Sequence, residues 1–188
     1  MNKIILASAS PRRRELLTQI GLDFEVIVSD AEEVMTSTKP GEVVKELSDC
    51  KAMAVELELK EEEKEAIVIG ADTVVAIGER ILGKPKDESE AFEMIWMLQG
   101  QTHQVYTGVT LICGETKVSF YEKSDVTVYP MKDSEIWDYI RTGEPMDKAG
   151  AYGIQGYFAK YIREIKGEYT TIVGLPLGRL WQELCKNF

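Results

Sequence analysis

The chain has 188 residues, 44% of them hydrophobic and 29% charged, with a formal net charge of −10. That balance suits a globular protein with one core, and its acidity argues against a general nucleic-acid binder, because any polyanion would have to be met by a local positive pocket. No apolar stretch approaches the ~18 residues of a membrane span, and a single histidine, His103, rules out a His-rich metal site and puts general-base chemistry on carboxylates.

The N-terminus leads directly into an apolar run, Ile4-Ile5-Leu6-Ala7, read as a buried strand, with no signal-peptide pattern before it. Ser8-Ala9-Ser10-Pro11-Arg12-Arg13-Arg14 follows, then Glu15 to Gly21, read as a helix ending at glycine. Pro11 suits the first helical position, with Ser10 as its cap. Three arginines then fall in the first turn, where each exposed cation is unfavourable by about 0.3–1 kcal/mol. Two readings stand side by side. Either a phosphate sits at this strand-to-helix turn, or the arginines pair with some of the chain's many acidic residues.

Leu22 to Ser29 reads as a strand, and Asp30 to Lys39 as an acidic connection containing Glu32 and Glu33. Acidic residues after a strand are usually solvated, but one of these two could join Asp72 in holding a divalent cation, since magnesium is commonly bound through one or two carboxylates plus substrate phosphates. A helix is expected from Pro40 to about Leu59, its apolar residues at helical spacing. Lys51 borders that stripe, where it can snorkel to solvent or project into a cleft towards a phosphate.

Ala66 to Ile77 is a strong strand pattern that contains Asp72. An ionised carboxylate in so apolar a strand is costly unless it is paired, hydrogen-bonded or metal-bound. Gly70 before it allows a ligand or another backbone to approach closely. Gly78-Glu79 turns the chain into a short strand at Arg80–Leu82. Lys84 then ends a near match to the phosphate-loop pattern, which fails because Pro85 replaces the metal-binding hydroxyl and the intervening residues read as a hairpin.

A helix at Asp87 to Leu98 offers Phe92, Ile95, Trp96 and Leu98 to the core; strands follow near 104–113 and 116–129, then a short helix from Lys132 to Arg141. Gly143 to Gly156 reads as a Gly-rich loop suited to a flat ligand, in which Tyr152 stacks and Gln155 offers both a donor and an acceptor to a base edge. Tyr157 to Ile165 and Tyr169 to Val173 read as paired strands, and Pro176 opens a terminal helix. The expected fold class is α/β (mixed α+β), with a central twisted mixed sheet flanked by helices.

The joint pattern resembles the Maf family of nucleoside triphosphate pyrophosphatases. Ser8-Ala9-Ser10-Pro11-Arg12-Arg13 matches its opening motif; Gly70 to Val75, Gly83-Lys84-Pro85, Leu98 to His103 and Asp147 to Gly156 match later ones in order. The resemblance covers the chain as a single catalytic domain, residues 1–188, and implies a two-lobed protein with its active site in the cleft, often homodimeric, acting in the cytoplasm.

It further implies hydrolysis of a nucleoside triphosphate to the monophosphate and pyrophosphate, with a divalent cation (Mg2+ or Mn2+) as cofactor and neither nucleic acid nor membrane as partner. Carried over by motif, Asp72 is the proton acceptor; Glu33 helps hold the metal with Asp72; Ser8, Arg12, Arg13, Lys51 and Lys84 contact the phosphates; and Arg12, Thr73 and Gln155 help set base choice. Thr73 and the segment Lys148 to Gly156 look like the members preferring dTTP and UTP, with modified pyrimidine nucleotides as further substrates. Some members are associated with arrest of septum formation, which nothing in these residues explains. The alternative reading is a non-catalytic nucleotide sensor acting through a protein partner, which would need no metal-linked carboxylates.

Overall fold

A computed structural model describes residues 2–28 and 35–188. Its elements in chain order are β1 (Ile4–Ala7), α1 (Pro11–Gln19), β2 (Phe24–Val26), α2 (Pro40–Glu58), β3 (Ile67–Ile77), β4 (Arg80–Leu82), α3 (Glu88–Leu98), β5 (Thr102–Cys113), β6 (Thr116–Val128), α4 (Asp133–Ile140), β7 (Ile162–Lys166), α5 (Tyr169–Val173) and α6 (Leu177–Asn187). The strands hydrogen-bond in the order β2-β1-β3-β5-β6-β7, and β4 pairs with β3. β1 runs parallel to both β2 and β3, whereas β3–β4 and β6–β7 are antiparallel, so the sheet is mixed as expected.

The chain forms two compact units. The first takes Met1–Asp72, Thr107–Glu122 and Gly174–Phe188; the second takes Thr73–Tyr106 and Lys123–Val173. In the first unit β1 is buried along its whole length. Ile5 and Ala7 pack with Val68 of β3, Ala52 and Val55 of α2, and Ile112. Ile4 and Leu6 point the other way and are equally buried, which is why this strand reads as a continuous apolar run and not as an alternation.

Two glycines set how close α2 lies. A side chain at Gly70 would collide with the Ser48 carbonyl and come within 2.8 Å of the Ala52 nitrogen, and one at Gly108 would collide with the Val44 carbonyl. The close approach that Gly70 permits is therefore to backbone, one of the two possibilities its position allowed. The Ser48 hydroxyl reaches Thr110 at 2.9 Å, and Thr110 reaches Ser119 at 3.0 Å, so the polar atoms this packing buries satisfy each other.

The second unit centres on aromatic residues. Phe158 is fully buried against Tyr139, Tyr152 and Tyr161, with ring centroids 5.0, 4.8 and 5.6 Å away.

The structure corrects four expectations. Residues 157–161 form a 3-10 turn, not a strand, because Phe158 turns inward to this cluster. Tyr169–Val173 is a helix, not a strand: the β6–β7 ladder ends at the pair Asp125–Lys166, and the chain leaves it through Gly167 at φ +122°. Propensity for β structure in Thr170-Thr171-Ile172-Val173 had no ladder to join. Trp96 is exposed, since the buried face of α3 is Ala91, Met94, Ile95 and Leu98. The strand expected over 22–29 is confined, within the described residues, to Phe24–Val26.

Candidate active site

In the first unit, the close contact at Gly70 brings chemistry together. The Ser48 carbonyl lies over Gly70; three residues further along α2 is Lys51, and two residues further along β3 is Asp72. Their side chains meet, and the Lys51 ammonium donates to Asp72 Oδ1 in an ion pair. The side chains are 21% and 15% exposed, respectively. The costly aspartate of the apolar strand thus has the partner that burial requires, and Lys51 projects inward from its stripe.

The arginine segment resolves into three different roles. Ser10 stands at the N-cap of α1 and Pro11 at its first position, but the Ser10 hydroxyl makes no capping bond, contrary to expectation. The Ser10 N–H donates to Ser8 Oγ at 3.3 Å. Arg13 folds inward and is buried: its Nε donates to the Gly174 carbonyl at 2.8 Å and its Nη1 to Ser8 Oγ at 3.0 Å. Burial pushes the Arg13 guanidinium below its ordinary pKa, and Asp72's negative charge partly restores it while Arg12 opposes it. Arg13 is therefore oriented before any ligand arrives and lies within the field of Asp72.

Arg12 is half-buried. Among the described residues no hydrogen bond or ion pair engages its guanidinium. Arg14 is exposed and donates to the Ala9 carbonyl at 3.2 Å. Arg14 thus bonds to a backbone oxygen, whereas Arg13 bonds to a hydroxyl and a backbone oxygen and also feels the charge of Asp72. Glu33, like its neighbour Glu32, lies outside the described residues.

In the second unit Thr73 follows Asp72 along β3 and is half-buried. Lys84 is exposed beyond β4, between Gly83 and the buried Pro85. The Gly83 carbonyl accepts from Gly150 N–H at 3.0 Å, which ties the Lys84 loop to the segment carrying Gln155. Gln155 is exposed at the third position of a turn closed by Gly156 N–H to the Gly153 carbonyl at 3.2 Å.

Tyr152 does not fit the stacking role predicted for it. It is buried, its hydroxyl lies 2.7 Å from His103 Nε2, and its ring meets the imidazole edge-on. Burial lowers the His103 pKa to about 4, against a smaller opposing effect of Asp125. This neutral, enclosed histidine is a core residue.

A cation site can be tested only by its donors. Among the described residues no group of three or more His, Cys, Asp or Glu side chains converges. Asp72 is nevertheless a hard oxygen donor of the kind magnesium and manganese accept alongside phosphate oxygens and water. That part of the predicted pair fits. Sequence reasoning missed Gly174, whose carbonyl holds Arg13 from 161 positions away. No helix among the described residues is long and apolar enough to cross a membrane.

The family model described as Maf-like protein matches residues 3–187. The dTTP/UTP pyrophosphatase of Lachnoclostridium phytofermentans is 51% identical over 191 residues, covering 99% of this chain and 95% of that protein. The dTTP/UTP pyrophosphatase of Agathobacter rectalis is 52% identical over 200 residues, covering 99% and 98%. Among solved structures, the Ham1 protein of Staphylococcus aureus superposes with a TM-score of 0.50 at 17% identity, over 68% of this chain and 72% of that one, a likeness of fold alone.

Proposed function

The chain belongs to the Maf family, and we propose that it is a nucleoside triphosphate pyrophosphatase acting on dTTP and UTP, releasing the nucleoside monophosphate and pyrophosphate. The substrate pair follows the names of relatives about half identical over nearly the whole chain. The observation that carries the chemistry is the Lys51–Asp72 ion pair, enclosed in the same unit as the pre-oriented Arg13.

The reaction asks little covalent chemistry of the protein. Water attacks the α-phosphorus, the bond from that phosphorus to the bridging oxygen breaks, and pyrophosphate leaves. Asp72 takes the proton from the attacking water. Lys51 pairs with Asp72 and orients it in the free protein, and adds a cation at the phosphates. Arg13, held by Ser8 and the Gly174 carbonyl, offers charge that needs no reorganisation when negative charge grows on the leaving group. Arg12 and Lys84 supply further positive charge, and Thr73 and Gln155 bear on the base.

A divalent cation, Mg2+ or Mn2+, belongs to this reading, with Asp72 as one ligand and Glu33 as the other; when bound it neutralises phosphate charge. The protein works as one catalytic domain over residues 1–188 and forms a homodimer. Its three cysteines, none of them in a disulfide, suit a reducing cytoplasm.

The test is a panel of ordinary and modified nucleoside triphosphates with magnesium or manganese, assayed for pyrophosphate against orthophosphate. Pyrophosphate from dTTP and UTP is expected. Orthophosphate alone would overturn the proposed cleavage site, and no turnover of any nucleotide would leave the protein a sensor.

A further inference from the structure

Glu144 has no part in the reading above, yet it is one of the most heavily engaged carboxylates in the second unit. It opens the 3-10 turn Glu144–Asp147, and its side chain reaches across to the turn that carries Gln155. Oε1 accepts from the Tyr139 hydroxyl at 2.8 Å, and that hydroxyl in turn accepts from Gly153 N–H at 3.1 Å. Oε2 accepts from Tyr157 N–H at 2.9 Å. One carboxylate therefore grips both flanks of the four-residue turn 153–156, directly at one end and through a buried tyrosine at the other.

The glycines of this turn fit the same device. A side chain at Gly156 would run into the Glu144 carboxylate, reaching Oε1 at 2.5 Å, and one at Gly153 would lie 3.2 Å from Oε1. Gly156 has φ −103°, which other residues adopt without strain, so the nearby carboxylate and not the backbone demands glycine there. Tyr139 itself is only 3% exposed. Burial and the Glu144 bond push its hydroxyl pKa up, so it keeps its proton and relays the clamp at any working pH.

We propose that Glu144 and Tyr139 are positioning residues for base selection, holding the 153–156 turn so that the Gln155 amide meets the nucleobase edge at a fixed distance and angle. They act through Gln155 and not on the triphosphate. The inference rests on the reading that Gln155 contacts the base. Uracil and thymine present a carbonyl acceptor where cytosine presents an amino donor. An amide held in place can be set to pair with one and oppose the other, whereas an amide on a loosened turn withdraws from both.

The experiment compares UTP and CTP with Gln155→Ala, Tyr139→Phe and Gly156→Ala, and with the last two each combined with Gln155→Ala. Gln155→Ala is expected to collapse the UTP-over-CTP preference in kcat/KM. Tyr139→Phe and Gly156→Ala should each lower that preference about tenfold, through KM for UTP, with kcat within about threefold of the parent, and neither should lower it further when Gln155 is already alanine. An unchanged preference in Gln155→Ala overturns the base-contact reading and the clamp with it. A collapsed preference there, with parental preference in both Tyr139→Phe and Gly156→Ala, overturns the clamp alone. A loss that is equal for UTP and CTP, or that falls on kcat, marks a general structural role and also overturns it.

Discussion

Replacing Asp72 with asparagine keeps the shape of the side chain and removes its charge and its basicity. A positioned general base contributes ~10²–10⁴-fold, so kcat is expected to fall by that factor, ~2.7–5.4 kcal/mol in the barrier at about 1.36 kcal/mol per decade. Affinity for dTTP should hold or tighten, because one negative charge near the triphosphate is gone. Stability changes separately. With side chains 15% and 21% exposed, the pair lies between an exposed ion pair, worth about 0.2–1 kcal/mol, and a buried one, where removing one partner costs about 3–5 kcal/mol. A loss of ~1–3 kcal/mol is expected, and the double variant with Lys51→Met should recover part of it by removing the stranded ammonium. Pyrophosphate release at saturating dTTP, binding of dTTP by calorimetry, and urea unfolding of both single variants and the double variant measure these quantities. A folded Asp72→Asn protein with kcat within about threefold of the parent removes Asp72 from the mechanism. A stability loss of the same size with and without Lys51 shows that the two groups are not coupled.

Gly70→Ala places a methyl group against backbone atoms of Ser48 and Ala52 that cannot rotate away; thermal unfolding should show a loss of ~1–3 kcal/mol or more, and kcat should fall because Lys51 is carried off Asp72. Arg13→Lys cannot reproduce both bonds to Ser8 and Gly174, so it should cost ~1–3 kcal/mol and lower kcat/KM for dTTP, while Arg14→Ala, at an exposed site, should stay within about 0.5 kcal/mol by urea unfolding. His103 has a folded-state pKa of about 4 against an ordinary 6.5. The unfolded chain therefore takes up the proton first as pH falls. The stability contribution is complete above pH ~6.5 and is lost towards pH ~4, by up to about 3 kcal/mol. Urea midpoints across that range should slope in the parent and flatten in His103→Gln.

Much of this arrangement was legible because the signals were local. Pro11 and Pro40 mark helix starts that the structure keeps, and the β3–β4 hairpin follows from Gly78-Glu79. Asp72 stood out through the expense of a charge among valines and isoleucines. What stayed hidden depends on residues far apart in the chain. Nothing near Arg13 announces the carbonyl of Gly174, and the inward turn of Tyr152 depends on His103, 49 positions earlier. The misread of Tyr169–Val173 has the same origin, since whether such a segment becomes a strand depends on whether a neighbouring edge is free to receive it. Composition made Gly143 to Gly156 look like an open loop. Yet Gly150, Ala151, Tyr152, Gly153 and Ile154 are buried, because small residues there let the chain pack against the aromatic core.

The two units are threaded through each other in sequence. The boundaries fall at Asp72–Thr73 within β3, Tyr106–Thr107 within β5, Glu122–Lys123 within β6, and Val173–Gly174 after α5. During synthesis the nascent chain exposes Arg13 early, but the carbonyl that anchors it is translated 161 residues later, and α6 of the same unit follows that. The unit containing Asp72, Lys51 and Arg13 thus cannot close from the N-terminal part of the chain, and Arg13 finds its anchor only once Gly174 has been made. A chain cut short before Gly174 would carry the Lys51–Asp72 pair without Arg13 held in place.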